Sequence, residues 1–147
     1  FVTKGKTGPF DASLEEVLHL INFSGHAMAY PKVFGLEEGS ELVQAMDVAR
    51  GGKFVKIPRE YPDDAWYTYD DETCGYLDCQ TIEYLYWSIS SLSGAQENRA
   101  DEIGHEWKLN TPDLLKSKDK RIFSILNNPI YKIPLILPDG NYRVLNK

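Results

Sequence analysis

Apolar residues recur at helical spacing in several stretches of the chain. In the segment 13–26, SLEEVLHLINFSGH, Leu14, Val17, Leu18 and Ile21 stand at i, i+3, i+4 and i+7, the stripe of a helix that turns one face to a core. Leu20 and Phe23 fall off that stripe, so the pattern predicts a helix that runs through the interior and ends near Gly25. Ser40 opens a second helix with Leu42, Val43, Met46 and Ala49 as its apolar positions, and Gly51-Gly52 stops it after Arg50. The other strong pattern covers Cys79–Leu92, with Ile82, Leu85, Tyr86, Ile89 and Leu92 on one face and Gly94 near its end. A charged helix bearing Ile103, His105 and Trp107 follows, then a short one opened by Thr111-Pro112, then a stripe of Ile122, Phe123, Ile125 and Leu126. The tail 130–145 is richer in extended positions, and Pro138-Asp139-Gly140-Asn141 reads as a turn between two short strands. The fold expected is mainly α, a single helical domain over residues 1–147 with a small extended or β element at the C-terminus.

Between the second and third helices, residues 53–78 are irregular, and Trp66, Tyr67, Tyr69 and Tyr76 alternate with acidic side chains. A loop this long inside a domain is usually functional or disordered; its aromatic load argues against disorder, so it is expected to be packed. Its acidic spacing does not match a calcium loop.

The composition narrows the classes of function. The 147 residues suit one domain. With 16 basic and 22 acidic residues the formal charge is −6, and no basic run interleaves with aromatics, which disfavours nucleic acid. The longest apolar runs, such as 133–137, are too short to span a bilayer, so a soluble protein is expected. A first residue of Phe1 with no leader after it reads as the C-terminal part of a larger processed precursor. Cys74 and Cys79 are the only cysteines; their spacing permits a small disulfide loop at a helix entrance and an extracellular location, against a competing reading of two reduced thiols.

At about 100° per residue, Glu15, His19, Asn22 and His26 share one sector beside the first apolar stripe. Asn22-Phe23-Ser24 is an N-glycosylation sequon, but it lies in that sector, so no glycan is expected. Ser13 and Glu16 form a capping-box pattern. Glu83 stands beside the buried face of the later helix, with Tyr84 and Trp87 around it reducing its access to water, and needs a cation or a donor.

The run Glu15-Glu16-Val17-Leu18-His19 resembles the H-E-x-x-H signature of glutamate-type zincin metallopeptidases, with a glutamate in place of the first histidine. The resemblance implies zinc held by His19 and by Glu83 on the later helix, with Glu15 in the place of the missing histidine and Glu16 in that of the general base. His26 is an alternative ligand, although it follows His19 by seven positions where a related signature has six. Two carboxylates and one imidazole would neutralise the ion and leave its water less acidic. The function expected is therefore a secreted zincin-like domain that binds metal or is catalytically degenerate. The alternative is a non-enzymatic secreted binding protein in which Trp66, Tyr69, Tyr84 and Trp87 line a pocket for an apolar or flat ligand or a protein partner. Geometry discriminates: the first reading requires Glu15, His19 and Glu83 to converge.

Overall fold

The third predicted helix, α5 (Cys79–Leu92), is the axis on which the other elements pack. The computed structural model of the chain describes residues 13–137. Eleven of the fourteen residues of α5 are buried, a helix covered on nearly every side, as expected for the centre of a helical core. The Asp78 carboxylate accepts from the Cys79 amide at 2.7 Å at its start, and Gly94, at φ +80°, turns the chain away just past its end. Serines that would be costly in such a position are satisfied: Ser88 donates to the Tyr84 carbonyl at 2.8 Å, and Ser91 accepts from Trp107 Nε1 at 2.9 Å.

Four helices touch α5: α1 (Ser13–Ile21), α4 (Glu41–Ala49), α7 (Pro112–Lys118) and α8 (Lys120–Leu126). The short α2 (Ala27–Ala29), α3 (Pro31–Phe34) and α6 (Ala100–Ile103) complete the described elements. Ser40 caps α4 by accepting from Val43 N at 3.2 Å, and Thr111 caps α7 by accepting from Leu114 N at 3.2 Å, as their side-chain chemistry predicts. A single cluster of buried residues, among them Phe34, Met46, Tyr67, Leu85, Trp107 and Ile122, joins these helices into one mainly α-helical domain. No helix among the described residues is long and apolar enough to cross a membrane.

The first helix departs from its predicted placement. Leu18 is buried, but Val17, Leu20, Ile21 and Phe23 are exposed, so α1 lies on the surface instead of running through the interior. It docks by its polar sector: Asn22 and His26 are buried, and Glu15 and His19 are partly so. Gly25 does not end it either. The helix widens into a π turn (Asn22–His26) and continues into α2.

The irregular stretch before α5 is packed, as its aromatic content implies. Arg50, fully buried after α4, donates to the Phe54 carbonyl at 2.8 Å and to the Tyr61 hydroxyl at 3.0 Å. The rings of Phe54, Tyr61 and Tyr76 stand 5.5–5.8 Å from its guanidinium carbon. Farther on, Tyr67 and Trp107 form an isolated antiparallel bridge. Among the described residues there is no strand beyond that bridge; residues 130–137 are irregular, and Tyr131 packs edge-on against Phe34 at 5.1 Å. The predicted turn Pro138-Asp139-Gly140-Asn141, with the strands proposed on it, lies outside the described residues.

Candidate metal centre

Three of the predicted ligands converge. Glu15 and His19 are one turn apart on α1, and Glu83 lies one turn into α5, where that helix packs on α1. One ligand atom from each of Glu15, His19 and Glu83 lies within 4.8 Å of the others. The His19 ring sits between two carboxylates, with Nε2 3.8 Å from Glu83 Oε2 and Nδ1 3.9 Å from Glu16 Oε2. The side chains of His19 and Glu83 are only 17 % and 18 % exposed, against 74 % for Glu16. Both separations exceed a hydrogen bond. His19 Nε2 is sealed from solvent and has no hydrogen-bond partner among the described residues, an uncommon state for a buried ring nitrogen.

The electrostatics follow from burial. Burial raises the Glu83 carboxyl to about 8, and the negative charges of Glu15, Glu106 and Glu16 add to the shift. Burial also lowers the His19 pKa, opposed by Glu15 and Glu16. At neutral pH the pair is thus a protonated carboxyl facing a neutral imidazole, and it carries no ion-pair energy. A divalent cation at the common point would reverse the preference, since it favours the ionised carboxylate and needs the free imidazole lone pair. The donor set fits such an ion: one imidazole nitrogen and two carboxylate oxygens suit zinc or a neighbouring first-row metal.

Behind the ligands stands Tyr86, which the sequence reading treated only as an apolar position. Its ring meets His19 edge-on at 5.5 Å and 90°, and after burial the charge of Glu15 is the largest influence that raises the pKa of its hydroxyl. Gln96 Nε2 reaches the same hydroxyl at 3.5 Å, and Arg99 donates to Gln96 Oε1 at 2.8 Å. Such outer partners fix ligand orientation. The signal for Tyr86 was present, one turn beyond Glu83 on α5, but a tyrosine in an apolar stripe reads first as packing.

His26 does not join the group. Its Nε2 donates to the Tyr131 carbonyl at 3.1 Å, and its Nδ1 lies 3.1 Å from Asn22 Oδ1. Burial lowers the pKa of His26. In the neutral ring Nδ1 is an acceptor, and the amide orientation that serves it turns Asn22 Nδ2 toward it, which also gives that otherwise unpaired group a partner. The alternative-ligand expectation for His26 is corrected on this ground: both ring nitrogens are engaged, and the π turn between His19 and His26 breaks the α-helical register on which the shared sector depended. Asn22 itself is fully buried, which leaves a glycan no path from its amide.

The aromatic set is placed differently. Trp66 Nε1 and the Tyr84 hydroxyl both donate to Asp119 Oδ2, at 2.9 and 2.7 Å, and Trp87 Nε1 donates to Glu106 Oε1 at 2.7 Å. These three side chains are buried, and Tyr69 is partly so. None of the four lines the open groove of about 390 Å³ beside His19 and Glu83. Cys74 and Cys79 are disulfide-bonded, and Cys79 lines that groove one turn before Glu83. No protein-family model, curated protein or solved structure matches the chain.

Proposed function

We propose that this protein binds a divalent transition metal, zinc in the first place, through Glu15, His19 and Glu83, as a zincin-like domain without peptidase activity. The observation that carries the reading is the mutual approach of three ligand atoms within 4.8 Å, one of them a sealed imidazole nitrogen. Among the described residues, no group hydrogen-bonds that nitrogen. Glu16, the residue in the place of the general base, stands on the Nδ1 side of His19. At 3.9 Å it is not bonded to the ring, and it would orient a metal-bound His19 only after closing to hydrogen-bond distance. Two carboxylates among the ligands would neutralise a bound dication and make its water less acidic, which would weaken hydrolysis at neutral pH. We read the protein as secreted, supported by the Cys74–Cys79 disulfide, a bond that persists in oxidising compartments.

Zinc titration against a chromophoric competitor tests the reading. One equivalent should bind to the wild type, and His19→Ala should abolish binding with the helical circular dichroism retained. Wild-type protein that leaves all zinc with the competitor, or a His19→Ala variant that binds as well as wild type, would refute it. Glu15→His, which restores the family pattern, should tighten binding.

A further inference from the structure

Eleven large apolar side chains stand exposed among the described residues, and five of them, Val17, Leu20, Ile21, Phe23 and Met28, fall within one run through α1, the π turn and α2. Single exposed apolar residues are ordinary, but a contiguous group of them marks a contact surface. The groove beside the candidate metal centre continues this strip: Leu20 and Phe23 from the α1 side and Ile82 from α5 supply its apolar lining. Its other feature is charge. Among the described residues, Glu16 and Asp78 line it beside Glu83 and no lysine or arginine does, on a chain whose formal charge is already −6.

We infer that this face docks a basic amphipathic helix of a partner protein. Apolar side chains one turn apart on that helix fit the groove and the α1 strip, the spacing by which helices are read in grooves, and flanking lysines or arginines meet Glu16 and Asp78. Charge complementarity selects this occupant over the others. A second copy of the chain would bring one acidic rim against another, and an anionic lipid surface would be repelled by the same carboxylates. The inference goes beyond the metal reading. Glu16, Asp78 and the apolar strip all lie outside the triad of Glu15, His19 and Glu83.

The experiment uses a short fluorescent, end-capped peptide of leucine and lysine in amphipathic order, titrated with the whole chain in EDTA at about physiological ionic strength. The expected result is saturable binding that Leu20→Ser/Phe23→Ser weakens by about tenfold or more and Glu16→Lys weakens by a smaller factor, while Val55→Ser, an exposed apolar change elsewhere, leaves it unaltered. A leucine–glutamate peptide of the same order should not bind. Because Leu20 and Phe23 are exposed, the double variant should keep its circular dichroism; if it does not, Phe23→Ser alone is used. Four outcomes overturn the inference: a double variant that binds as the wild type does, which would mean attraction by net charge alone; equal binding of the leucine–glutamate peptide; a wild-type dimer in sedimentation that the double variant abolishes; or capture by anionic phospholipid vesicles that depends on Leu20 and Phe23. Since no metal is present, failure here leaves the zinc titration untouched, and failure of that titration leaves this result standing.

Discussion

Two carboxyl groups largely shielded from water, Asp119 packed against α5 and Glu83 on α5 itself, are treated in opposite ways. Asp119 is surrounded by donors: Trp66 Nε1 at 2.9 Å, the Tyr84 hydroxyl at 2.7 Å and the Ile122 amide at 3.2 Å. Burial raises its pKa, and each of those hydrogen bonds works against the rise. Glu83 is also buried, but the charged groups that shift it are all carboxylates, and its nearest ring nitrogen is 3.8 Å away with no partner of its own. Burial alone therefore does not distinguish a structural carboxylate from a functional one. The supply of donors does: Asp119 is complete without any addition, whereas the Glu83 cluster is complete only with a proton or a cation.

The largest expected effect comes from breaking the complete side. Asp119→Ala would strand Trp66 Nε1 and the Tyr84 hydroxyl in the core, at about 1–3 kcal/mol for each orphaned donor. Urea unfolding should show a midpoint lowered accordingly, and an unchanged midpoint would mean that water reaches those donors.

A smaller effect of opposite sign is expected at Glu83. Its folded pKa, about 8, lies above the ordinary 4.5, so the folded state holds the proton where the unfolded chain has released it. That contribution to stability is fully present below the unfolded value and is lost as pH rises through the folded one. In EDTA the wild type should therefore lose stability, on the order of a few kcal/mol at most, as pH rises across the interval from 4.5 to about 8. Glu83→Gln should flatten that profile and be the more stable protein at pH 8, while losing zinc. A wild type and variant with parallel profiles would show that the carboxyl ionises freely in the folded chain.

The smallest effect sharpens the contrast within the cluster itself. Tyr86→Phe removes the hydroxyl beside Glu15 while keeping the ring that meets His19, and zinc affinity should fall by about 10–100-fold, the range for losing an outer-shell partner. The cobalt-substituted protein offers a separate readout, because a shift in its visible bands reports altered ligand geometry. Unchanged affinity together with unchanged bands would assign Tyr86 to packing alone.

Much of this was legible in the sequence, but unevenly. The bounds of α5 follow from its apolar pattern and its glycine stop because both signals are local. The convergence of His19 with Glu83 was legible too, since each is an ionisable group set beside an apolar face. The orientation of α1 was not. Val17 and Ile21 obey helical periodicity yet point outward, because what α5 receives from that helix is a polar sector whose members find partners only in the fold, such as the Tyr131 carbonyl for His26. The π turn has no periodic signature and shifted His26 out of register. Neither Asp119 nor Arg50 carries a local signal of its role, because the groups that satisfy them come from Trp66 and Tyr84 in the one case and Phe54 and Tyr61 in the other.

Arg50 has a practical meaning for anyone handling the protein. A trypsin-like protease cuts after an exposed lysine or arginine, and Lys53, close by, presents such a site. The Arg50–Gly51 bond does not: its side chain is fully buried and held by the Phe54 carbonyl and the Tyr61 hydroxyl. Cleavage there requires the chain around α4 to come apart, so the rate at which that one fragment appears is a clock for the opening of the domain.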